Sequence, residues 1–131
     1  MFTGLIAIAI GGSLGALSRY GLFEILKPLH DRGIELGVLT ANVLGSFLIG
    51  VAFALFYHHG WMEKYPLMNL FFVTGFLGAF TTFSSFSQDN LRFLLEKHFL
   101  GFAINTSTNL VLCTIAVGLG FYLVQLFKFN S

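Results

Sequence analysis

Apolar residues run almost unbroken through four stretches of this chain, and polar residues collect between them. The first stretch extends from about Thr3 to Phe23 and is closed by Glu24, Lys27, Pro28, His30, Asp31 and Arg32. The second runs from about Leu36 to Tyr57, before the cluster His58, His59, Gly60, Trp61, Glu63 and Lys64. The third begins near Leu67, is apolar through Phe80, and turns hydroxyl-rich from Thr81 to Ser87 before Gln88 and Asp89. The fourth spans about Phe99 to Phe127, with a polar patch from Asn105 to Asn109, and ends at Lys128. A helix of about 18 or more apolar residues is long enough to cross the roughly 30 Å hydrocarbon core of a bilayer. The pattern therefore predicts an all-α, multi-pass integral membrane protein with spans near 3–23, 36–57, 67–87 and 99–127.

Composition agrees. Only 10% of the 131 residues are charged and 56% are hydrophobic, against about 25% charged in an ordinary soluble domain. Seven Lys and Arg against six Asp and Glu leave no basic footprint for nucleic acid. Cys113 is the single cysteine, which excludes an intrachain disulfide and a cysteine-rich metal site. The histidines fall in loops or near span ends without the spacing of a metal centre, so an enzyme is not expected. No basic leader or small-residue cleavage site precedes the first span, so it is expected to be retained. The whole chain, 1–131, reads as one domain without linker or repeat. Lys64 and Lys128 lie on one side of the four-span layout, and Lys27, Arg32, Arg92 and Lys97 on the other. That small bias is compatible with insertion in both directions, and equally with a single orientation that leaves both termini outside.

Small and polar residues mark helix faces. Gly11, Gly12, Gly15 and Ala16 in the first span, and Asn42, Ser46 and Gly50 in the second, let backbones approach and point to helix packing and assembly. Polar groups within spans cost free energy unless partnered. Asn42 has two readings, an interhelical hydrogen bond or a pore-facing amide. Arg19 either snorkels to the interface or serves a site. Glu24 and Asp89 lie near span ends, and no carboxylate occupies the centre of any span.

The segment from Gly75 to Ser87 carries the most chemistry. Gly75, Gly78 and Ala79 followed by Thr81 and Thr82 make a poor continuous helix, so a break near the middle of the third helix is expected. At such a break freed carbonyls can hold a cation, and exposed N–H groups can face an anion. Phe83 and Phe86, three residues apart, project from one face of the resumed helix. A phenyl ring has a negative face and a positive edge, so the pair serves either packing or an anion path.

The run Gly78-Ala79-Phe80-Thr81-Thr82-Phe83-Ser84-Ser85-Phe86-Ser87, with Asp89 after it, resembles the signature of the Fluc (CrcB) fluoride channels. Gly11-Gly12-Ser13-Leu14-Gly15-Ala16-Leu17-Ser18-Arg19-Tyr20 resembles that family's first-helix motif, and Asn42-Val43-Leu44-Gly45-Ser46 its second-helix motif, in the same order. The resemblance implies an antiparallel, dual-topology homodimer in the cell (inner) membrane that passes fluoride through two pores built from both subunits. It implies a pore-facing Asn42, fluoride-facing Phe83 and Phe86, and hydroxyls from Thr82, Ser84 and Ser85 around them, Ser85 standing where threonine is more usual. It further implies a structural sodium ion at the dimer centre on the carbonyls of Gly78 and Thr81, with Arg19 near the aqueous vestibule. On the fourth helix Asn105 and Asn109 stand where the family often has tyrosine and serine. Asn109 is taken as pore-lining, and Thr106, Ser107, Thr108 and Cys113 are further candidates there. Partners are then fluoride, membrane lipid and a second copy of the chain.

Two other classes share the four-span layout. A small dual-topology multidrug exporter needs an intramembrane carboxylate for proton coupling, which this sequence lacks at span centres. A non-conducting membrane assembly protein would use the small-residue faces alone.

Overall fold

A computed structural model describes residues 1–29 and 35–127. His30, Asp31 and Arg32 of the first loop, and Lys128 after the fourth span, lie outside the described residues. Four helices are long and apolar enough to cross a membrane: Phe2–Leu26, Leu36–His58, Pro66–Leu95 and Phe99–Leu126. No strand occurs among the described residues.

Glycine decides how these helices meet. A Cβ on Gly11 or Gly15 would run into the carbonyl oxygens of Phe71 and Phe76, and one on Gly75 would come within 2.8 Å of the Ile8 carbonyl oxygen. The first span therefore lies backbone to backbone against the leading half of the third. On the opposite flank Gly50 meets the Val117 carbonyl and Gly120 meets the Phe47 carbonyl, so the second and fourth spans cross at equally close range.

The third span is two helices in line. Its leading half contains a π-helical stretch, Leu70–Leu77, followed by a single turn, Gly78–Phe80. Phe72, Phe76 and Phe80 stack along it with ring centroids 5.7 Å apart at both steps. At Thr81 (φ −79°, ψ 155°) and Thr82 (φ −148°, ψ 109°) the backbone becomes extended, and a new helix runs from Phe83 to Leu95. The break expected from the glycine and threonine pattern thus falls at the two threonines. Helix also continues past Ser87, Gln88 and Asp89, because the trailing half is amphipathic and can carry polar residues on one face while burying Phe93.

Candidate functional site

The extended pair Thr81–Thr82 interrupts the helical ladder and so creates the site. In an unbroken helix the Thr82 N–H would donate to the Gly78 carbonyl. Here it donates to Asn42 Oδ1 at 2.9 Å, while Asn42 Nδ2 donates to the Thr82 carbonyl at 3.2 Å. The asparagine side chain thus pairs with the Thr82 peptide as a neighbouring strand would, satisfying two backbone groups that otherwise cost about 1–3 kcal/mol each when buried. Gly45, one turn along from Asn42, leaves the room that the Thr81 side chain fills.

Thr82 also caps the trailing helix. Its Oγ1 accepts from the Ser85 N–H at 3.2 Å and lies 3.1 Å from Ser84 Oγ and 3.0 Å from Ser85 Oγ, so three hydroxyls cluster at the helix start. The N–H groups of Phe83 and Ser84 have no acceptor within the helix, and a helix N-terminus favours an anion. Phe83 is 77% exposed in the single chain, and its ring centroid stands 5.4 Å from that of the half-buried Phe86, the planes inclined by 50°. The Thr81 hydroxyl is tied to the Leu77 carbonyl at 3.0 Å.

From Asn42 a chain of amides leads away from the break. Asn42 Nδ2 donates to Asn109 Oδ1 at 3.2 Å, Asn109 Nδ2 donates to Asn105 Oδ1 at 3.2 Å, and Asn105 Nδ2 donates to Asn90 Oδ1 at 2.8 Å. Asn105 and Asn109 are buried at 1% and 6% exposure. Asn42 bonds between helices, and it also lines a concave cavity of about 610 Å³ beside the break. Gly78, Thr81, Thr82, Phe83, Phe86 and Asn109 line the same cavity, as do Thr106 and Cys113. Ser84 and Ser85 sit behind it through the hydroxyl cluster, and Ser85 lines a second cavity of about 660 Å³ with Gln88, Asp89, Arg92 and Glu35. Ser107 and Thr108 are outside both, and Thr108 returns its hydroxyl to the Ile104 carbonyl at 2.7 Å.

Two arginines bring charge to the break and to the second cavity. Arg19 Nη1 reaches the Thr81 carbonyl at 3.4 Å, placing a guanidinium at the carbonyl end of the leading half-helix. Arg92 lies 3.5 Å from Glu35 and 3.8 Å from Asp89, beside the second cavity. No group of three or more His, Cys, Asp or Glu converges among the described residues, so a cation at the break would depend on backbone oxygen. The backbone fits that use. The Gly78 carbonyl has lost the Thr82 N–H to Asn42, and among the described residues the Thr81 carbonyl has the long Arg19 contact, so both keep acceptor capacity suited to a hard ion.

Asn90 is the residue that the sequence pattern did not single out. Its signal was its place four residues after Phe86, on the face that carries the phenylalanines.

Comparison with known proteins identifies the family. Residues 6–121 match the family described as "CrcB-like protein, Camphor Resistance (CrcB)". The chain is 42% identical over 125 residues to the fluoride-specific ion channel FluC of Campylobacter jejuni subsp. jejuni serotype O:6, covering 95% of this chain and 100% of that protein. It is 42% identical to the protein of the same name from Aeromonas salmonicida, covering 89% of this chain and 92% of that one. The Vibrio cholerae protein of that name is 40% identical, over 88% of this chain and 90% of its own length.

Proposed function

This chain belongs to the CrcB family, and from that premise we propose that it is one subunit of a fluoride-selective ion channel through which fluoride leaves the cytoplasm passively. It is a multi-pass membrane protein and a channel rather than an enzyme. The observation that carries the reading is the helix break, where the ring pair Phe83 and Phe86, the hydroxyls of Thr82, Ser84 and Ser85, and the amides of Asn42 and Asn109 gather around or behind one cavity. No exporter-type carboxylate lines that cavity, and the named relatives are fluoride channels, so the exporter and assembly readings have no support.

Fluoride is small and holds its water tightly. A narrow path must replace that water with donors, yet hold the ion loosely enough for release. Hydroxyls, amides, the first N–H groups of the trailing helix and polarised ring edges are such donors, and none adds a fixed charge that would trap the ion. A negative-inside potential of 100 mV favours exit by about 2.3 kcal/mol per charge.

The cavity of one chain, lined by the second, third and fourth spans, is partly open, and the exposure of Phe83 leaves a ring at it without cover. A second copy of the chain would close it, which supports a homodimer; that its copies run antiparallel in the lipid of the cell (inner) membrane rests on the family resemblance. In that assembly the carbonyls of Gly78 and Thr81 from both copies are the candidate donors to a structural sodium ion, whose charge would offset four oxygens facing one another. Arg19 then stands at the break itself, and the Arg92 cavity is the better candidate for a vestibule.

Efflux from liposomes loaded with fluoride or chloride, measured with ion-selective electrodes on purified protein, tests the function. Fluoride release far faster than chloride release is expected. Equal rates, or release no faster than from empty liposomes, would overturn it.

A further inference from the structure

The amides beyond Asn42 point one way. The Thr82 N–H is a fixed backbone donor, so Asn42 must present its oxygen there and its nitrogen to Asn109. Asn109 must then offer its oxygen to Asn42 and its nitrogen to Asn105, whose side-chain oxygen and backbone carbonyl both accept it, at 3.2 and 3.1 Å. Asn105 in turn accepts from Asn109 and donates to Asn90. Each side-chain amide has one acceptor and one donor end, so no member can rotate by half a turn without setting donor against donor. The chain starts at the break and stops at Asn90, which contributes only its oxygen; its own Nδ2 makes no hydrogen bond with the described residues.

The geometry points to Asn90 as a positioning residue for the pore: its oxygen terminates this one-way chain and thereby keeps Asn109, and through it the Asn42 amide that Thr82 orients, seated beside the helix break. The inference rests on the channel reading. Asn105 is 1% exposed, so its Nδ2 has no water to turn to when the Asn90 oxygen is removed. A buried donor without an acceptor is costly, and the cheapest remedy is rotation of the Asn105 amide. Rotation brings its nitrogen against Asn109 Nδ2, which the Asn105 backbone carbonyl still accepts at 3.1 Å; the repulsion displaces the Asn109 amide and weakens the bond its oxygen accepts from Asn42, which loosens the Asn42 amide beside Thr82. Hydrogen-bond chains in a poorly polarisable interior strengthen one another, so a fault at one end is felt along the whole. Asn90 has no hydrogen bond to Thr82 or Asn42, which makes the effect separable from local packing.

The test compares Asn90→Ala and Asn90→Asp in the assembled, full-length protein. Aspartate keeps an acceptor oxygen facing Asn105; alanine removes it. Fluoride efflux should fall about tenfold in the alanine variant and stay within about twofold of wild type in the aspartate variant. The second readout is hydrogen exchange of the Thr82 backbone amide by NMR, which should quicken about tenfold with alanine and return to the wild-type rate with aspartate. A purely local role for Asn90 would leave Thr82 protection unchanged. Asn90→Gln, which retains the amide but displaces its oxygen by one methylene, should also speed Thr82 exchange and replaces alanine if that variant fails to assemble. Wild-type Thr82 exchange in an assembled alanine or glutamine variant overturns the proposal. Wild-type protein that carries no fluoride would instead overturn the channel reading and leave the exchange result to judge the amide chain alone.

Discussion

A phenyl ring offers an anion only its edge, and Phe83 and Phe86 present two rings inclined to one another at the start of the trailing helix. Isoleucine fills a similar apolar volume without a quadrupole, so Phe83→Ile or Phe86→Ile separates ring electrostatics from packing. Each is expected to slow fluoride efflux about tenfold or more, since ~1.4 kcal/mol at the limiting barrier suffices for that. Assembly, followed by size-exclusion chromatography, should be unaffected, because a similar-sized apolar exchange costs about 1.5 kcal/mol or less. Wild-type efflux in both variants would return the pair to packing. Asn42 makes the harder case at this scale. Its position alone left an interhelical bond and a pore role side by side; the structure shows the interhelical bond to the Thr82 peptide and places the side chain at the cavity, where the pore role is proposed. Asn42→Ala strands the Thr82 N–H and carbonyl together, so it should reduce both efflux and thermal stability, whereas the phenylalanine variants reduce efflux alone. Asn90 shares a helix face with Phe86, but its partnership was not legible in the sequence, because Asn105 is 15 residues away on another helix.

Elements are more legible than side-chain partnerships. Four apolar stretches of sufficient length fix the spans, and glycines with β-branched threonines fix a break to within a few residues of Thr81. Two features of the third span escape such reasoning. Its leading half is π-helical from Leu70 to Leu77, where Gly75 and the carbonyls of Phe71 and Phe76 lie hard against the first span, so tertiary packing and not propensity accompanies the wider turn. Its trailing half carries polar residues beyond Ser87 and still remains helical to Leu95, because those residues line a cavity instead of marking an end. Close approach yields a sharp comparison on the first span. A methyl on Gly15 would meet the Phe76 carbonyl carbon at 3.0 Å and its Cα at 3.1 Å, whereas one on Gly21 has nothing within 4 Å. Gly15→Ala should therefore cost about 1–3 kcal/mol through separation of two backbones. Gly21→Ala should be neutral or gain up to about 1 kcal/mol in helix propensity. Thermal unfolding in detergent distinguishes them, and equal melting temperatures would mean that the two spans are not in backbone contact.

The whole molecule has more apolar surface than one chain can use. Leu14, Leu17 and Tyr20 on the first span and Leu110 on the fourth are exposed at 46%, 66%, 67% and 68%, and Phe83 is more exposed still. Lipid can cover the leucines at no cost. It cannot serve the groups beside Phe83, because hydrocarbon offers the donors of the break neither water nor acceptors. A second copy related by a two-fold axis is the commonest way for one surface to cover its own equivalent. If that axis lies in the membrane plane, the two copies run antiparallel, and each must insert in the opposite sense. The charged residues do not oppose this: among the described loops, Lys64 lies on one side, with Lys27 and Lys97 on the other. A cysteine in place of Lys64, in a Cys113→Ser background that removes the one native thiol, reports the outcome directly. Membrane-impermeant maleimide applied to sealed vesicles should label part of the protein from outside, and the remainder only after the vesicles are opened. The same division should appear for cysteine at Lys97, although Lys64 and Lys97 lie in successive loops on opposite faces of a single chain. Complete labelling of one position from outside with none of the other would establish a single orientation, and the second wall of the pore would then have to come from a parallel neighbour.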